Sequence, residues 1–341
     1  MLSLSMNYRH AVSAIVAIAI LAATGAQGPA PAVSIVLPSH LLANAPAMLA
    51  VLGADGHLAP GISVDTGNGA HVTTNATGRA TFIAPAAGVF IANVSGVSAA
   101  ALVDAAPAQS ATLSVPPAVS EHDRFAVCGS GFTGDIAKDS VTINGDTAFI
   151  IAASPECLVA LPQSRTLIGH AKIEIDSTGV PLTVTTDLVA LDFLPPNPPL
   201  LPGHKGKLFV RAEGTSAALA IVVENGSPDV IHFHRGERQQ LRTSGGGQNM
   251  VPVEVQAIRS GDFSFDARIL TAPDSADALR YVEAAATVAP NQMQRNLQRI
   301  AANLTRHPGD TRKTRNALDR LANTLPPGTL RTLVDSARAS L

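Results

Sequence analysis

This 341-residue sequence contains two cysteines, Cys128 and Cys157, whose thiols could form a redox pair, a metal site or a disulfide. They do not form a C-x-x-C redox motif, and no histidine lies near them at a spacing typical of a zinc site. Two thiols allow a single pairing. The N-terminal residues indicate an exported chain, and in such a chain a pair of cysteines is expected to be oxidised. The sequence therefore predicts a structural disulfide rather than a catalytic or metal-bound pair.

His232 and His234 form a second candidate group. They are two residues apart, so on a strand their imidazoles share one face. Imidazole suits zinc or copper, and two of them could share one ion. Asp229, Glu237 and His204 could supply further ligands, but no complete set can be located in the sequence. Two exposed surface histidines are the expected interpretation, and a metal site is the alternative.

Ser130 is a candidate nucleophile because it stands between Gly129 and Gly131. A nucleophile elbow needs G-x-S-x-G at a strand-to-helix turn, with an acid and a histidine elsewhere in the chain. Here the serine follows a strand-like run, so a β-turn is predicted instead. The sequence also lacks a P-loop, a G-x-G-x-x-G motif after a strand and an H-E-x-x-H helix. We therefore expect neither enzyme activity nor a cofactor.

Composition disfavours two kinds of binding protein. There is no Trp, and Tyr281 is the only Tyr besides Tyr8. Sugar-binding sandwiches stack pyranose rings on such aromatic faces, so the composition disfavours a polysaccharide-binding site. The formal net charge of −2 gives no global positive field, so we expect no nucleic-acid partner.

The N-terminus is typical of a secretory signal peptide. Arg9 and His10 precede an apolar run from Ala11 to Ala23, and the small residues that end at Ala26 follow it. The run is shorter than the roughly 20 residues of a membrane-spanning helix. No other segment reaches that length, so we expect no integral membrane protein. Residues 1–26 are predicted to be removed, which places the mature chain in the periplasm, outside the cell or on its surface.

In residues 29–105, apolar and polar residues alternate with the two-residue period of strands, and turn residues separate these runs. This pattern indicates an antiparallel sandwich. The runs "LGADGHLAPGISVDTGNG" and "TTNATGRATFIAP…GVFIANV" resemble bacterial Ig-like domains of the invasin/intimin type. The resemblance covers roughly seventy residues. It implies a spacer or adhesive module, and it carries no catalytic residues to this chain.

Residues 106–193 are predicted to form a second sandwich. Asn144-Gly145, between two apolar runs, is the strongest short hairpin signal. The order "GSGF … VTINGDTAFIIAAS … CLVALP … GHAKIEI" resembles the IPT/TIG domain, another Ig-like sandwich. The cysteine pair is a departure from that family's general pattern, and it would tie the strand before the Gly-Ser-Gly turn to a later strand.

Residues 194–207 are rich in proline and are predicted to be a stiff, extended linker between units of independent stability. Residues 208–272 again have the character of strands, and we expect a third sandwich of no family that its residues identify. The predicted fold class is therefore mainly β, with tandem Ig-like antiparallel β-sandwiches followed by a small C-terminal helical domain.

That helical domain is predicted over residues 273–341, because the apolar period changes there from that of strands to that of helices. Met293, Leu297, Ile300 and Leu304 are spaced as on one helix face. Residues 275–341 hold ten Lys or Arg against five acids. A solvated basic face is the ordinary explanation, and a docking site for an anionic partner is the alternative. We expect that the tail can be removed without unfolding the β units.

These features favour a non-catalytic exported protein of tandem Ig-like modules, acting as an envelope or extracellular spacer, scaffold or interaction and adhesion protein. Its partner is expected to be a protein or another component of the cell envelope. The alternative is a ligand-binding accessory protein, for carbohydrate or metal, of a secreted enzyme or transport system.

Overall fold

Short strands occupy the chain from Ser34 to Ile269, and four helices follow them. The computed structural model describes residues 33–67, 69–107, 113–163, 166–177, 179, 181–196, 199–246, 249–270 and 274–341. The predicted signal peptide lies outside the described residues. The predicted fold class is confirmed: three Ig-like sandwiches precede a helical domain.

The first sandwich has the strand order of an immunoglobulin domain. One sheet has the order β1-β3-β6, and the other has the order β2-β8-β7-β4-β5, with β2 parallel to β8. Alternating residues fill the core between the two sheets, as in β7, where Phe90, Ala92 and Val94 are buried. The strands are β1 Ser34–Val36, β2 His40–Leu42, β3 Pro46–Leu52, β4 Ser63–Asp65, β5 His71–Thr73, β6 Arg79–Ile83, β7 Gly88–Val94 and β8 Val97–Asp104.

The second sandwich repeats the order of the second of these sheets, as β9-β16-β15-β11-β12 with β9 parallel to β16, and its other sheet has the order β13-β14-β10. Its strands are β9 Ala118–Ser120, β10 Phe125–Cys128, β11 Ser140–Ile143, β12 Asp146–Thr147, β13 Phe149–Ala153, β14 Cys157–Leu161, β15 Gly169–Asp176 and β16 Leu182–Leu194. The predicted Asn144-Gly145 hairpin joins β11 to β12, and both turn residues have positive φ, 52° and 90°.

The third sandwich begins inside β16. Residues 182–188 of this strand pair with β15 of the second sandwich, and residues 190–194 pair with β17 of the third. The sheets are β16-β17-β21-β19 and β20-β18-β22. The strands are β17 Lys205–Glu213, β18 Ala220–Asn225, β19 Ile231–Phe233, β20 Arg238–Arg242, β21 Asn249–Ala257 and β22 Phe265–Ile269.

The predicted extended linker over residues 194–207 is therefore corrected. Leu194 ends β16 and pairs with Phe209 of β17, so the proline-rich segment connects two antiparallel neighbours instead of spacing two domains apart. Within this segment, residues 197 and 198 lie outside the described residues. Proline lacks the N–H that a sheet ladder needs, and a connection between strands tolerates that loss.

A mixed interface joins the first two sandwiches. Met48 of β3 pairs with Ala153 of β13, which makes one sheet continuous across the boundary. A register shift in β13 near Ile151 leaves two carbonyls for Arg79, which donates to the carbonyl oxygens of Ile150 (2.9 Å) and Ile151 (3.1 Å). Arg79 is buried, so this side chain of the first sandwich satisfies the irregular strand of the second.

The C-terminal helices fold back onto the first sandwich. The predicted stripe is present on α2, where Leu297 and Leu304 are buried. Leu102 of β8 is fully buried in the same apolar cluster as the helices, so sandwich and helices share a core. The helices are α1 Ser275–Val288, α2 Asn291–Arg306, α3 Thr311–Thr324 and α4 Thr329–Ala339.

Candidate functional site

A cleft of about 1010 Å³ lies where the three sandwiches meet. The connection from β9 to β10 forms one wall, and β22 of the third sandwich forms another. The first sandwich contributes residues near the ends of β1 and β3, and β13 and β14 complete the lining. Clefts at domain interfaces are common binding sites, and the volume here is in the range of known ones.

Apolar side chains line the part of the cleft formed by β3, β13 and β14. Phe149 is 47% exposed, which is unusual for a large aromatic side chain, and the guanidinium of Arg79 lies 4.7 Å from its ring centroid. Leu58 and Leu161 are partly buried and pack against an apolar cluster that joins the first two sandwiches and consists of Val36, Ala50, Ile151, Ala152 and Val159. This wall can therefore contact an apolar group of a ligand or partner.

Charges of both signs line the remaining walls. Asp123 and Arg124 lie in the connection before β10, and Asp266 and Arg268 lie on β22. Burial, and next the nearby charge of Asp266, raise the pKa of the Asp123 carboxyl. Arg268 donates to Glu224 at 3.2 Å, on the neighbouring strand β18. Two acids and two arginines leave the cleft without a strong net charge, which suits a neutral partner better than a polyanion.

A second cluster, at the contact between the first sandwich and α1, was not predicted from the sequence. The imidazole of His40 bridges two carboxylates, with Nδ1 2.8 Å from Asp104 and Nε2 2.9 Å from Asp277. Arg280 adds a 2.7 Å ion pair to Asp104 and donates to the carbonyl oxygen of Val103. Strand β2, strand β8 and helix α1 are thereby joined by charged hydrogen bonds.

Two opposing effects act on His40. Burial lowers the pKa of its imidazole, but the hydrogen bonds and charges of Asp104 and Asp277 outweigh burial and raise the pKa to about 9. The hydrogen bond from His40, opposed by burial and assisted by Arg280, lowers the pKa of Asp104. His40 is therefore a cation at neutral pH, and it acts as an electrostatic link between the sandwich and the helices.

No local pattern in the sequence could have identified this cluster, because Asp104 and Asp277 are 64 and 237 residues away from His40. The same is true of Arg79, whose acceptors on β13 are 71 and 72 residues away. Each side chain acquires its role only once the modules are packed together.

The predicted Cys128–Cys157 disulfide is present. The two residues are directly opposite each other on the antiparallel strands β10 and β14, with Cα atoms 4.1 Å apart. The hydroxyl of Ser39, from the first sandwich, lies 3.4 and 3.5 Å from the two sulfur atoms. Nearby, Ser154 donates to the carbonyl oxygen of His40 at 2.6 Å. The bond therefore lies beside the contact between the first two sandwiches.

His232 and His234 are both exposed, on and just after β19, where the two-residue spacing places them on one face. Of the three further ligands considered, the Glu237 carboxylate contacts the imidazole of His232, Asp229 pairs with Arg259, and the His204 imidazole lies 3.3 Å from the carbonyl oxygen of Pro202. Within the part of the chain that the structure describes, no group of three or more His, Cys, Asp or Glu side chains comes close enough to hold a metal ion.

Two further sequence features have clear positions. Ser130 lies at a bend that follows β10, and Gly131 beside it has a φ of 98°, a conformation that favours glycine. Tyr281 is buried in the helical core, so this side chain offers no exposed ring for sugar stacking. Among the described residues, no helix combines the length and the apolar character needed to cross a membrane.

The basic charge of the tail is concentrated on α2 and α3. Arg295, Arg299 and Arg306 are exposed and share one face of α2, a helix without acidic residues. On α4, Arg331 and Arg338 instead form ion pairs with acids of the helical domain. The exposed arginines fit either a solvated face or an anionic partner.

No protein-family model matches the chain, and no curated protein matches it. Solved structures with similar regions include the plexin A4 extracellular region, which is 10% identical over 71% of this chain and 23% of that chain, with a TM-score of 0.26. A tandem from titin is 13% identical over 69% of this chain and 95% of that chain, with a TM-score of 0.20.

Fibronectin(III)-like modules of CbhA from Clostridium thermocellum are 16% identical over 46% of this chain and 94% of that chain, with a TM-score of 0.17. The chain spans less than a quarter of the plexin A4 chain. All three TM-scores are below 0.5, and the Ig-like architecture of this chain rests on its own strand pairing.

Proposed function

We propose that the chain is a non-catalytic, exported scaffold of tandem Ig-like modules that holds an interaction surface in the cell envelope or outside the cell. The invasin-type and IPT/TIG resemblances of the first two modules fit this role, because such modules serve as spacers and adhesive units. Residues 1–26 supply the proposed export signal.

The strand β16 is the observation that carries this proposal. It is one uninterrupted strand of 13 residues that belongs to the second sandwich at its start and to the third at its end. A hinge between these modules would have to break ladder hydrogen bonds. The Met48–Ala153 pairing and the buried Arg79 restrict the first boundary in the same way. Such joints suit a scaffold that fixes the separation of its surfaces.

The alternative, an accessory protein that binds carbohydrate or metal, would use His232 and His234 or an aromatic platform. No observation on the described residues favours it over the scaffold. Zinc titration by calorimetry and a glycan array with the mature protein distinguish the two functions. Saturable binding in either experiment would favour the accessory protein, and the scaffold predicts none.

Export is tested by expressing the full chain in a Gram-negative host and measuring the N-terminus of the protein in each fraction by mass spectrometry. We expect mature protein that begins at Gln27, outside the cytoplasm. Ile18→Arg, which interrupts the apolar run, is the matched control and should retain the protein inside. Wild-type protein that stays in the cytoplasm with residues 1–26 intact would contradict the proposal.

A further inference from the structure

Among the described residues, the third sandwich lacks the strand that completes the other two. In the first sandwich β8 pairs with β7, and in the second β16 pairs with β15. In the third sandwich the strand equivalent to β7 and β15 is β22, and it pairs with β18 on one side. No strand of the described chain pairs with its other edge, and the next element is α1. An immunoglobulin sandwich normally has its last strand at this edge.

The hydrogen bonds that flank β22 show which backbone groups face the open edge. Gly226 donates to the carbonyl oxygen of Ser264, and Leu270 donates to that of Ala220. In an antiparallel pair this phase directs the N–H and C=O groups of Asp266 and Arg268 toward β18. The backbone N–H and C=O groups of Phe265, Ala267 and Ile269 therefore point away from β18, toward the open edge.

The open edge borders the cleft. Asp266, Arg268 and Ile269 line it together with the wall that contains the exposed Phe149. An unpaired strand edge is a ready template for an added strand. Here that template lies beside a cleft of about 1010 Å³ with an apolar wall, and β9 of the second sandwich contacts β22 and lines the same cleft, so an added strand would contact β9 and the apolar wall as well as the edge.

We propose that the outer edge of β22 binds an extended segment of a partner protein as the missing last strand. This inference rests on the proposed interaction role and names its partner. Main-chain hydrogen bonds to the open edge would provide affinity. Every second side chain should be apolar, to continue the inward-facing row of Phe265, Ala267 and Ile269. The intervening side chains face Asp266 and Arg268, whose opposite charges favour neutral polar residues.

The test uses the mature chain and a fluorescein-labelled peptide with the sequence of residues 182–190, which in this protein form the last strand of the second sandwich, beside β15. Fluorescence anisotropy should show saturable binding that a scrambled peptide lacks. Ala267→Pro removes an outward N–H and should weaken binding at least tenfold. Ala267→Ser keeps that N–H and is the matched control, and circular dichroism verifies that both variants fold.

Two measurements on the unmodified protein keep the test independent of folding defects. Only one edge of the bound peptide pairs with β22, and alternate residues direct their N–H groups to that edge. N-methylation of these residues should abolish binding, and N-methylation of the residues between them should leave binding intact. Hydrogen exchange should slow at Phe265, Ala267 and Ile269 when the peptide binds.

Absence of saturable binding, equal binding by Ala267→Pro, or protection located elsewhere would overturn strand addition. Dimers of the chain that are protected at β22 would also overturn it, since a second copy would then occupy the edge. An exported chain that captures its partner through another surface would refute strand addition and leave the proposed scaffold standing.

Discussion

Replacing His40 by Gln removes the cation that joins the first sandwich to the helical domain. The imidazole lies between Asp104 and Asp277, Arg280 pairs with Asp104, and the buried Glu156 lines the same cavity as His40 and Asp104. Glutamine keeps some hydrogen-bonding capacity but carries no charge at any pH. The substitution therefore isolates the electrostatic part of the contact.

The expected magnitude follows from the pKa of His40. Its rise from 6.5 to about 9 corresponds to roughly 3 kcal/mol, at about 1.4 kcal/mol per pH unit. Because the folded-state pKa is the higher one, this stabilisation is fully present below pH 6.5 and is lost as pH rises through about 9. The hydrogen bond from His40 lowers the pKa of Asp104, so this carboxylate is ionised throughout that interval and the imidazole controls the change.

Urea unfolding of wild type and His40→Gln at about pH 6 and about pH 10 measures this difference. Between these two pH values, the free energy of unfolding should fall by roughly 3 kcal/mol more in wild type than in the variant, because the other titrating groups contribute equally to both proteins. His71→Gln, at an exposed histidine of the same sandwich, should behave as wild type. The same pH dependence in wild type and His40→Gln would refute the electrostatic link.

Three further predictions concern the joints between modules. Arg79→Met should destabilise the chain by about 2–4 kcal/mol in urea unfolding, since two buried carbonyls lose a charged donor, and a loss below about 0.5 kcal/mol would refute that role. Reducing the Cys128–Cys157 bond should cost about 3–4 kcal/mol, measured by unfolding with and without reductant. Deleting residues 274–341 uncovers Leu102, so the melting temperature should fall while the strand signal in circular dichroism persists. An unchanged melting temperature would instead support a tail independent of the sandwich.

Local patterns predicted the fold class because they depend on neighbouring residues. Alternation in β7, the Asn144-Gly145 turn and the apolar spacing on α2 reflect sterics and burial over a few residues. The disulfide followed from there being two cysteines in a chain expected to be exported. These elements could be predicted without knowing what packs against them.

The joints between modules could not be predicted in this way. Strand β16 has both faces covered near Leu188 and Val189, so its alternation disappears there, and the prolines after Leu194 suggested a linker. The cleft is lined by residues of all three sandwiches that are far apart in the sequence, so no local pattern marks it. His40 acquires its role from a helix more than two hundred residues away.

The joining of the sandwiches is tested most directly by pulsed electron paramagnetic resonance between two spin labels. Ala87→Cys in the first sandwich and Arg235→Cys in the third are exposed, and the native cysteines are bonded to each other, so the labels attach to the new thiols. We expect one narrow distance distribution, which a Gly-Gly-Ser insertion between Val189 and Ala190 should broaden. A broad distribution in the uninterrupted chain, unchanged by the insertion, would contradict a scaffold built on shared strands.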